Sequence, residues 1–271
     1  MSRTATTYLF VPGNRPERFG KALASGADVV VLDIEDAVAP DEKPEARHAI
    51  ARWCSSATAH RSRLAIRIND PTTAWFADDL ELLRTTAMAV AMLPKAERPE
   101  TTAQVLRVMA AGGLVIPIIE SARGVANVES IASGEGVLRL AFGTLDYAAD
   151  LDLSGDERGL VYAASRLAVA SKCAGLASPI AGVTTALNDE ALLAADIAFA
   201  RACGFGAKLC IHPRQVAAVH RLLAPTPAEL DWARRVVAAA ESHPGAFALD
   251  GNLVDRPVLL KAQAILGRRP K

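Results

Sequence analysis

The chain has 271 residues, of which 51% are hydrophobic, and its 30 basic residues balance its 30 acidic residues. This length suits one large α/β domain with a substantial core. Because no basic run or excess of positive charge exists, the composition argues against a nucleic-acid partner. No apolar run is long enough for a membrane span, and residues 1–13 lack the apolar stretch of a secretory signal. We therefore expect a cytoplasmic protein with no membrane partner.

The cysteines give little sign of metal or redox chemistry. They form no C-x-x-C pair and lie inside apolar stretches: Cys54, Cys173, Cys203 and Cys210. We predict buried, reduced thiols.

Short apolar segments alternate with helical segments along the chain. The predicted strands are 7–13, 27–35, 63–69, 87–95, 114–120, 137–143, 176–182 and 206–212. The predicted helices are 15–26, 40–56, 74–86, 98–112, 121–133, 157–175, 189–204 and 213–224, and residues 144–156 are predicted to be a polar segment. About eight strand–helix units in a row favour an α/β fold of the (β/α)8 TIM-barrel type over residues 1–224.

A doubly wound dinucleotide-binding sheet is the alternative. It requires a G-x-G-x-x-G turn after the first strand. Here that turn contains Pro12 and Pro16, and proline has no N–H to donate to a phosphate. The dinucleotide-binding fold is therefore disfavoured.

The last segment, residues 225–271, does not fit the barrel repeat. It contains a helical pattern at 226–243, an Asp250-Gly251 turn, and a second helical pattern after Pro257 that runs to residue 269. We predict a C-terminal helical extension that covers the barrel mouth of its own chain or of a neighbouring subunit.

Ionisable side chains follow the predicted strands at their carboxyl ends: Asp33, Glu35, Asp36, Arg67, Lys95, Glu120, Asp146 and His212. In a barrel of this type those ends form one shared mouth, where active sites lie. The alternative is that charges simply mark where the chain meets water. Against that alternative, Arg67 alternates with Ile66 and Ile68 inside an apolar strand.

The acidic residues at consecutive strand ends suit a hard cation. Glu120 and Asp146 can share one Mg²⁺ that keeps several waters. Arg67 offers a planar fork for a carboxylate. An α-keto or α-hydroxy acid needs such a pair, and the chemistry it supports is making or breaking a C–C bond next to a carbonyl.

Longer motifs carry a resemblance to a known family. In order they are "YLFVPGNRPERFGKALASGADVVVLDIEDAVAPDEKPEAR", "RIN", "LPKAE", "IESARG", "FGTLDYAADL", "KLCIHP" and "NLVDRPVL". Over residues 7–266 the chain resembles the citrate lyase β-subunit-like family of the HpcH/HpaI aldolase superfamily, whose barrels are of the phosphoenolpyruvate-binding type. The resemblance implies a Mg²⁺-dependent lyase or synthase acting on citryl, malyl or citramalyl thioesters. It also implies acetyl-CoA or carrier-bound acetyl, an α-keto acid such as oxaloacetate, and a homotrimer or hexamer.

The same resemblance implies roles for single residues. It implies metal ligands at Glu120 and Asp146, which also meet the substrate, and a substrate-carboxylate arginine at Arg67. It implies a catalytic acid at Asp255, contributed by a neighbouring subunit. Further residues support the catalytic site or contact CoA: Glu35 and Asp36 for the first role, Arg15, Arg18 and Lys21 for the second.

Two positions depart from the family pattern. Leu145 stands where many members have glutamate before the metal aspartate, which can alter the surroundings of the metal or the fit of the substrate. The segment "AGVTTALND" lacks an acid that is often present there, which leaves the usual thioester partner open.

The predicted reaction is a reversible retro-Claisen cleavage in which Asp255 or a nearby acid transfers the proton. Asp255 could instead cap the last helix. Lys95 as a Schiff-base nucleophile and His212 as a base are weaker alternatives, and His212 suits a structural or CoA-contacting role better. Two other functions remain open: a carrier-dependent β subunit of a citrate lyase complex with an acyl-carrier protein, and an aldolase of free hydroxy-keto acids.

Overall fold

A computed structural model describes residues 5–56, 58–243 and 245–267 of the protein. The chain divides into two compact units, with the boundary between Val219 and His220. In the first unit, eight parallel strands close into a barrel in chain order. The predicted TIM-barrel fold is confirmed.

The barrel strands are β1 (Thr7–Pro12), β2 (Val29–Asp33), β3 (Leu64–Arg67), β4 (Val90–Leu93), β5 (Leu114–Ile119), β6 (Ala141–Phe142), β7 (Ile180–Ala181) and β8 (Ala207–Cys210). Each strand pairs in parallel with the next, and β1 also pairs with β8. Because the barrel is closed, no edge strand is left exposed.

The helices of this part of the chain are α1 (Phe19–Ala24), α2 (Lys43–Ser56), α3 (Phe76–Thr86), α4 (Pro99–Val108), α5 (Ala122–Ala126), α6 (Val128–Ala132), α7 (Thr144–Asp150), α8 (Val161–Cys173), α9 (Glu190–Ala202) and α10 (Pro213–Leu223). Short 3₁₀ turns cover Pro16–Arg18, Pro40–Glu42, Thr58–Arg63 and Glu157–Leu160. Proline begins two of these turns, where its missing N–H costs no hydrogen bond.

Four local predictions were wrong in whole or in part. The predicted strands at 137–143 and 176–182 are only two residues long, and the predicted helix 121–133 is divided into α5 and α6 at Asn127. Part of the polar segment 144–156 is the helix α7, which begins directly after Gly143. The helix α7 has only about two turns, so the polar and apolar residues of this segment do not show a recognisable helical period.

The interior of the barrel is filled by side chains at every second strand position. Most of this cluster comes from alternate residues of neighbouring strands: Tyr8, Val29, Val31, Ala65, Val90, Met92, Ile116, Ile118, Leu138, Ala141, Ile180, Ala207 and Leu209. A barrel of eight strands is just wide enough for such layers to fill it. The mouth above these layers is where polar side chains can lie.

The second unit consists of α11 (Pro227–Ser242), a hairpin of β9 (Phe247–Leu249) and β10 (Asn252–Val254), and α12 (Arg256–Gly267). Thr226 and Glu229 form a capping box at the start of α11. The hairpin was missed at the sequence level, where Asp250-Gly251 was taken as an isolated turn. Both residues have positive φ, 53° and 76°, as a tight hairpin turn requires. Residues 268–269, predicted to end the last helix, lie outside the described residues.

All four cysteines are free thiols. Cys54 and Cys210 are buried as predicted, whereas Cys203 is only partly buried and Cys173 is exposed. Cys173 is the last residue of α8 and is not among the buried residues of that helix. Within the described parts of the chain, no helix is both long and apolar enough to cross a membrane.

Candidate active site

Alternate residues of each barrel strand face the interior, and the same alternation places charged side chains at the mouth. Val31 faces the interior in β2, and Asp33 follows it by two positions. Ile118 does so in β5, and Glu120 follows it. Asp33 pairs in register with Arg67 at the end of β3. Consecutive inward positions therefore change from apolar to charged at the carboxyl end of the barrel.

Arg67 is held by two carboxylates. Its Nε and Nη2 donate to the two oxygens of Asp33 at 2.7 and 2.6 Å. Its Nη1 lies 2.8 Å from Oε2 of Glu35, out of line for a hydrogen bond, and its guanidinium stacks on the Phe10 ring at 4.5 Å. Burial works to lower the pKa of Arg67, but Asp33 and Glu35 outweigh it and raise the pKa. The arginine therefore stays charged and fixed in place.

Two contributions to the site were not expected from the sequence. Asp33 was placed at the mouth but not as the partner of Arg67, and Lys43 was not placed there at all. Asp33 takes one side of the Arg67 fork, so only the remaining N–H groups of Nη1 and Nη2 are available to a ligand. Lys43 is buried and donates to the carbonyls of Ile34 and Glu35 at 2.8 and 2.9 Å. It thereby fixes the loop that carries Glu35. In the sequence, the position of Asp33 two residues after Val31 was the sign that it lies at the mouth. No feature of the sequence pointed to Lys43.

Glu120 is fixed from two sides. Its Oε1 accepts a hydrogen bond of 2.7 Å from the backbone N–H of Lys95. Lys95 has a φ of 44°, a left-handed conformation that is unfavourable for a residue with a Cβ. On the other side Gly143 passes so close that an added Cβ would lie 2.3 Å from Glu120 Oε2. The sequence placed Glu120 in the site but gave no hint of these two supports.

Replacing Gly143 with alanine should displace the Glu120 carboxylate. The backbone of Gly143, with φ −85° and ψ 83°, is not left-handed, so the effect is steric. We expect a loss of about 1–3 kcal/mol in unfolding free energy and a drop in catalytic efficiency of about 10²-fold. Denaturant unfolding and steady-state kinetics measure the two effects. Gly20→Ala in α1, where an added Cβ meets nothing within 4 Å, is the matched control. Equal behaviour of the two variants would contradict the steric assignment.

The acidic groups of the mouth are buried close to one another. Burial, with the charges of Glu35 and Asp146 adding to it, raises the pKa of Glu120 to about 8. Burial also raises the pKa of Glu35 to about 7, against the opposing effect of Arg67 and with the help of Asp36 and Asp33. Crowded carboxylates of this kind are relieved by a proton or by a bound cation.

Because these carboxylates are crowded, the unfolding free energy of the metal-free protein, measured in the presence of a chelator, should depend on pH. The folded-state pKa of Glu120, about 8, is above its ordinary value of 4.5, so folding favours the protonated carboxyl. Its stabilising contribution is complete below about pH 4.5 and is lost as the pH rises through about 8. The unfolding free energy of Glu120→Gln should therefore rise relative to wild type between pH 5 and pH 9. Urea unfolding at a series of pH values measures this difference, and parallel profiles would count against a buried, proton-binding Glu120.

Four of the predicted site residues line one cavity. Arg67, Glu120, Asp146 and Asp36 share a space of about 340 Å³ at the carboxyl ends of the strands. Other wall residues include Phe10, Pro12, Asp33, Gly143, Thr144, Leu145, Gly182, Val183 and Leu209. Glu35 lies beside this cavity through its contact with Arg67. The structure therefore brings together residues from four strand ends that the sequence predicted to meet.

Other predicted residues lie elsewhere. Arg15 and Arg18 are exposed and both contact Glu17, at 2.7 and 3.8 Å, and Lys21 is exposed on α1. They leave a basic surface before and within α1 but are absent from the cavity wall. Asp255, in the second unit, immediately precedes α12 and accepts from the N–H of Val258 at 3.2 Å. It therefore caps that helix, as the alternative interpretation of the sequence had it.

Three further polar residues have contacts outside the cavity. Two of them, Lys95 and His212, were the weaker candidates for a catalytic role. Lys95 is half-exposed, and its Nζ lies 3.3 Å from Asp70. The Nδ1 of His212 accepts from the backbone N–H of Arg214 at 3.1 Å, at the start of α10. Asp150, which follows Asp146 by one helical turn, accepts from the N–H of Ala122 at the start of α5. None of these three side chains lines the cavity.

The donor set of the cavity fits a hard divalent cation. Glu120 and Asp146 supply carboxylate oxygens, and carboxylates are the ligands that Mg²⁺ prefers. The described residues contain no group of three or more His, Cys, Asp or Glu that could hold a metal. Two protein carboxylates with the remaining positions left to substrate and water are the usual arrangement for Mg²⁺. Burial and the neighbouring acids raise the pKa of Glu120, and a cation beside such a carboxylate stabilises its charged form.

Known proteins are similar to this chain over most of its length. The family model described as HpcH/HpaI aldolase/citrate lyase matches residues 6–213. The citrate lyase subunit beta-like protein of Mycobacterium tuberculosis is 38% identical over 96% of this chain and 94% of its own length. The (3S)-malyl-CoA thioesterase of Cereibacter sphaeroides is 33% identical over 97% of this chain and 96% of its own length.

A solved structure is also similar over its full length. It is CitE from Mycobacterium tuberculosis in complex with magnesium, acetoacetate and coenzyme A, with a TM-score of 0.87 and 38% identity. The match covers 98% of this chain and 99% of that one. The ligands of that relative are a divalent metal, a keto acid and a CoA molecule.

Proposed function

The chain belongs to the HpcH/HpaI aldolase/citrate lyase family, and on that premise we propose that it is a Mg²⁺-dependent carbon–carbon lyase or synthase. Its substrate would be a 3-hydroxyacyl-CoA thioester of the citryl, malyl or citramalyl kind. Its products would be an acetyl thioester and an α-keto acid. The observation that carries the proposal is the single cavity lined by Arg67, Glu120 and Asp146.

The reaction conserves all atoms of the substrate. In cleavage the 3-hydroxyl loses its proton, the C2–C3 bond breaks, and its electron pair remains on C2 next to the thioester carbonyl. C3 becomes the carbonyl carbon of the keto acid, and C2 takes up a proton to give the acetyl group. Synthesis is the reverse, so the same acid and base serve both directions.

Glu120 and Asp146 would hold the Mg²⁺, which supplies Lewis-acid stabilisation for the oxygens of the keto acid. Arg67 would bind the carboxylate of the keto acid through the N–H groups that Asp33 and Glu35 do not use. The rigid Asp33–Arg67 pair would fix the direction of that carboxylate, because both side chains lie on neighbouring barrel strands. The fixed carboxylate aligns the reacting carbonyl.

Proton transfer at C2 is assigned to a carboxyl group. Asp36 lines the cavity, and the pKa of Glu35, raised by burial to about 7, suits acid–base chemistry near neutral pH. Asp255 of a neighbouring subunit is the third candidate, and it requires a homo-oligomer such as a trimer or hexamer. Exchange of the methyl protons of acetyl-CoA with D₂O in Asp36→Asn, Glu35→Gln and Asp255→Asn distinguishes them.

CoA would bind through the basic surface of Arg15, Arg18 and Lys21. These side chains are exposed, and cations in such positions suit the phosphates of CoA. The carrier-dependent β subunit and the aldolase of free hydroxy-keto acids remain the alternatives. The first would use a carrier-bound thioester in place of the CoA thioester. The second would use a free acid and no thioester.

The test is a cleavage assay with citryl-CoA, malyl-CoA and citramalyl-CoA, with Mg²⁺ and with EDTA. We expect equal amounts of acetyl-CoA and keto acid with at least one substrate, loss of both in EDTA, and recovery when Mg²⁺ is restored. Activity that persists in EDTA, or release of CoA without C–C cleavage, would refute the proposal. Activity only with an acyl-carrier thioester would support the complex subunit instead. Borohydride trapping with pyruvate tests the Schiff-base alternative at Lys95.

A further inference from the structure

A second cavity lies directly beside the first. It has a volume of about 320 Å³ and is enclosed by the ends of β6–β8 and by α7, α8 and α9. The two cavities share a wall made of Thr144, Leu145, Gly182 and Val183. The wall of the second cavity includes Leu145 and residues 181–185, which belong to the two places where the sequence departs from the family pattern. Nothing in the proposed chemistry uses this space.

The partition between the cavities is thin at one point. Gly182 has no side chain, and an added Cβ there would lie 2.4 Å from Oγ1 of Thr144. Leu145, at the same wall, exposes 54% of its surface. The side chains of Thr144 and Leu145 can rotate, so this part of the shared wall can admit a small group on a ligand in the first cavity.

The second cavity is mostly apolar. Its wall includes Ala148, Leu160, Ala164, Leu192, Phe199 and Phe205. A space of this size and lining is at the small end of the range for ligand pockets. It suits an alkyl group of a few carbons.

The charges of this cavity oppose a second carboxylate. Lys208 is the one cation among the described wall residues, and its Nζ donates to the carbonyl of Gly182 at 2.5 Å and lies 3.7 Å from Asp196. Asp196 also accepts from the hydroxyl of Thr184, and Glu157 adds a further acid to the wall. A carboxylate that entered would lose its water without gaining a free cation.

We propose that the second cavity receives an apolar substituent of the keto acid, so that this chain prefers 3-hydroxyacyl thioesters with an alkyl group at C3 to those with a carboxymethyl group. The proposal rests on the function proposed above and narrows its substrate class. In the synthetic direction it selects alkyl keto acids over oxaloacetate, which makes citryl-CoA the disfavoured substrate.

The comparison of 2-oxobutyrate with oxaloacetate tests this preference, because the two differ only by a methyl in place of a carboxylate. Condensation with acetyl-CoA is followed by mass detection of the acyl-CoA product for glyoxylate, pyruvate, 2-oxobutyrate and oxaloacetate. Calorimetry with Mg²⁺ gives the Kd of each keto acid without turnover. We expect 2-oxobutyrate to exceed oxaloacetate by about 10-fold or more in both measurements, as one apolar group in a fitted pocket allows.

Ala148→Phe fills the cavity from α7 and should lower the ratio of 2-oxobutyrate to glyoxylate efficiency by about 10-fold. Its neighbour Ala149 is exposed and absent from both walls, so Ala149→Phe is the matched control and should leave the ratio unchanged. Leu192→Phe fills the cavity from α9 and serves if the first variant does not fold.

Preference for oxaloacetate, or an equal effect of Ala148→Phe on all keto acids, would overturn the proposal. If no keto acid reacts but 2-oxobutyrate still binds better than oxaloacetate, the proposed reaction fails and the preference of the cavity stands. If neither turnover nor selective binding is found, both fail.

Discussion

Glu120→Gln is expected to lower turnover by about three orders of magnitude or more. Glutamine keeps the size of the side chain and can still accept from the N–H of Lys95, so the fold should be retained. It removes the negative charge that, with Asp146, would hold the divalent ion. Isothermal titration with Mg²⁺ should show weakened metal binding in parallel with the kinetic loss.

Asp150→Asn is the control for this prediction. Asp150 is a carboxylate one helical turn from Asp146, but it accepts from the N–H of Ala122 and does not line the cavity. Its replacement should cost about 1 kcal/mol or less of stability and change turnover little. Near wild-type turnover in Glu120→Gln would remove the main support for the proposed chemistry.

Arg67→Lys should reduce kcat/KM by about 10²-fold, chiefly through a higher KM for the keto acid. Lysine keeps a positive charge but cannot make the bidentate contact with Asp33 and reach Glu35 at the same time. The two buried carboxylates would be less well compensated, so the unfolding free energy should also fall by about 2 kcal/mol. Steady-state kinetics and urea unfolding measure both quantities.

Arg47→Lys separates stability from activity. Arg47 forms a comparably buried pair with Asp79, in which Nε and Oδ1 are 2.7 Å apart, and neither residue lines the cavity. We expect a similar loss of stability with catalytic constants within about twofold of wild type. If Arg47→Lys raised KM as much as Arg67→Lys, the effect at Arg67 would reflect general loosening of the fold.

The barrel could be predicted from the sequence because long parallel strands buried on both faces are continuous apolar runs, as in "VVVLD" and "LVIPII". The lengths of β6 and β7, which have two residues each, were overpredicted. The apolar run is visible in the sequence, but the point at which the hydrogen-bonded strand pairing ends is not. The hairpin of the second unit was missed because each strand has only three residues.

The ionisable residues of the mouth could also be anticipated, but the partners that hold them could not. Arg67 was expected to present a free fork, whereas Asp33 occupies half of it. That contact depends on the register between β2 and β3. The residue pattern within one strand does not determine its register with the next strand. The support of Glu120 by Lys95 and Gly143 depends on backbone approach between distant segments.

Asp33 and Arg67 lie before β5 in the chain, whereas Glu120 and Asp146 lie after it. In the proposed function the earlier portion would bind the carboxylate of the substrate, and the later portion would bind the metal ion. Neither portion by itself carries both halves of the chemistry. Closure of the barrel is thus what creates the site, and any partially folded state that lacks the β4–β5 ladder would be inert toward the substrate.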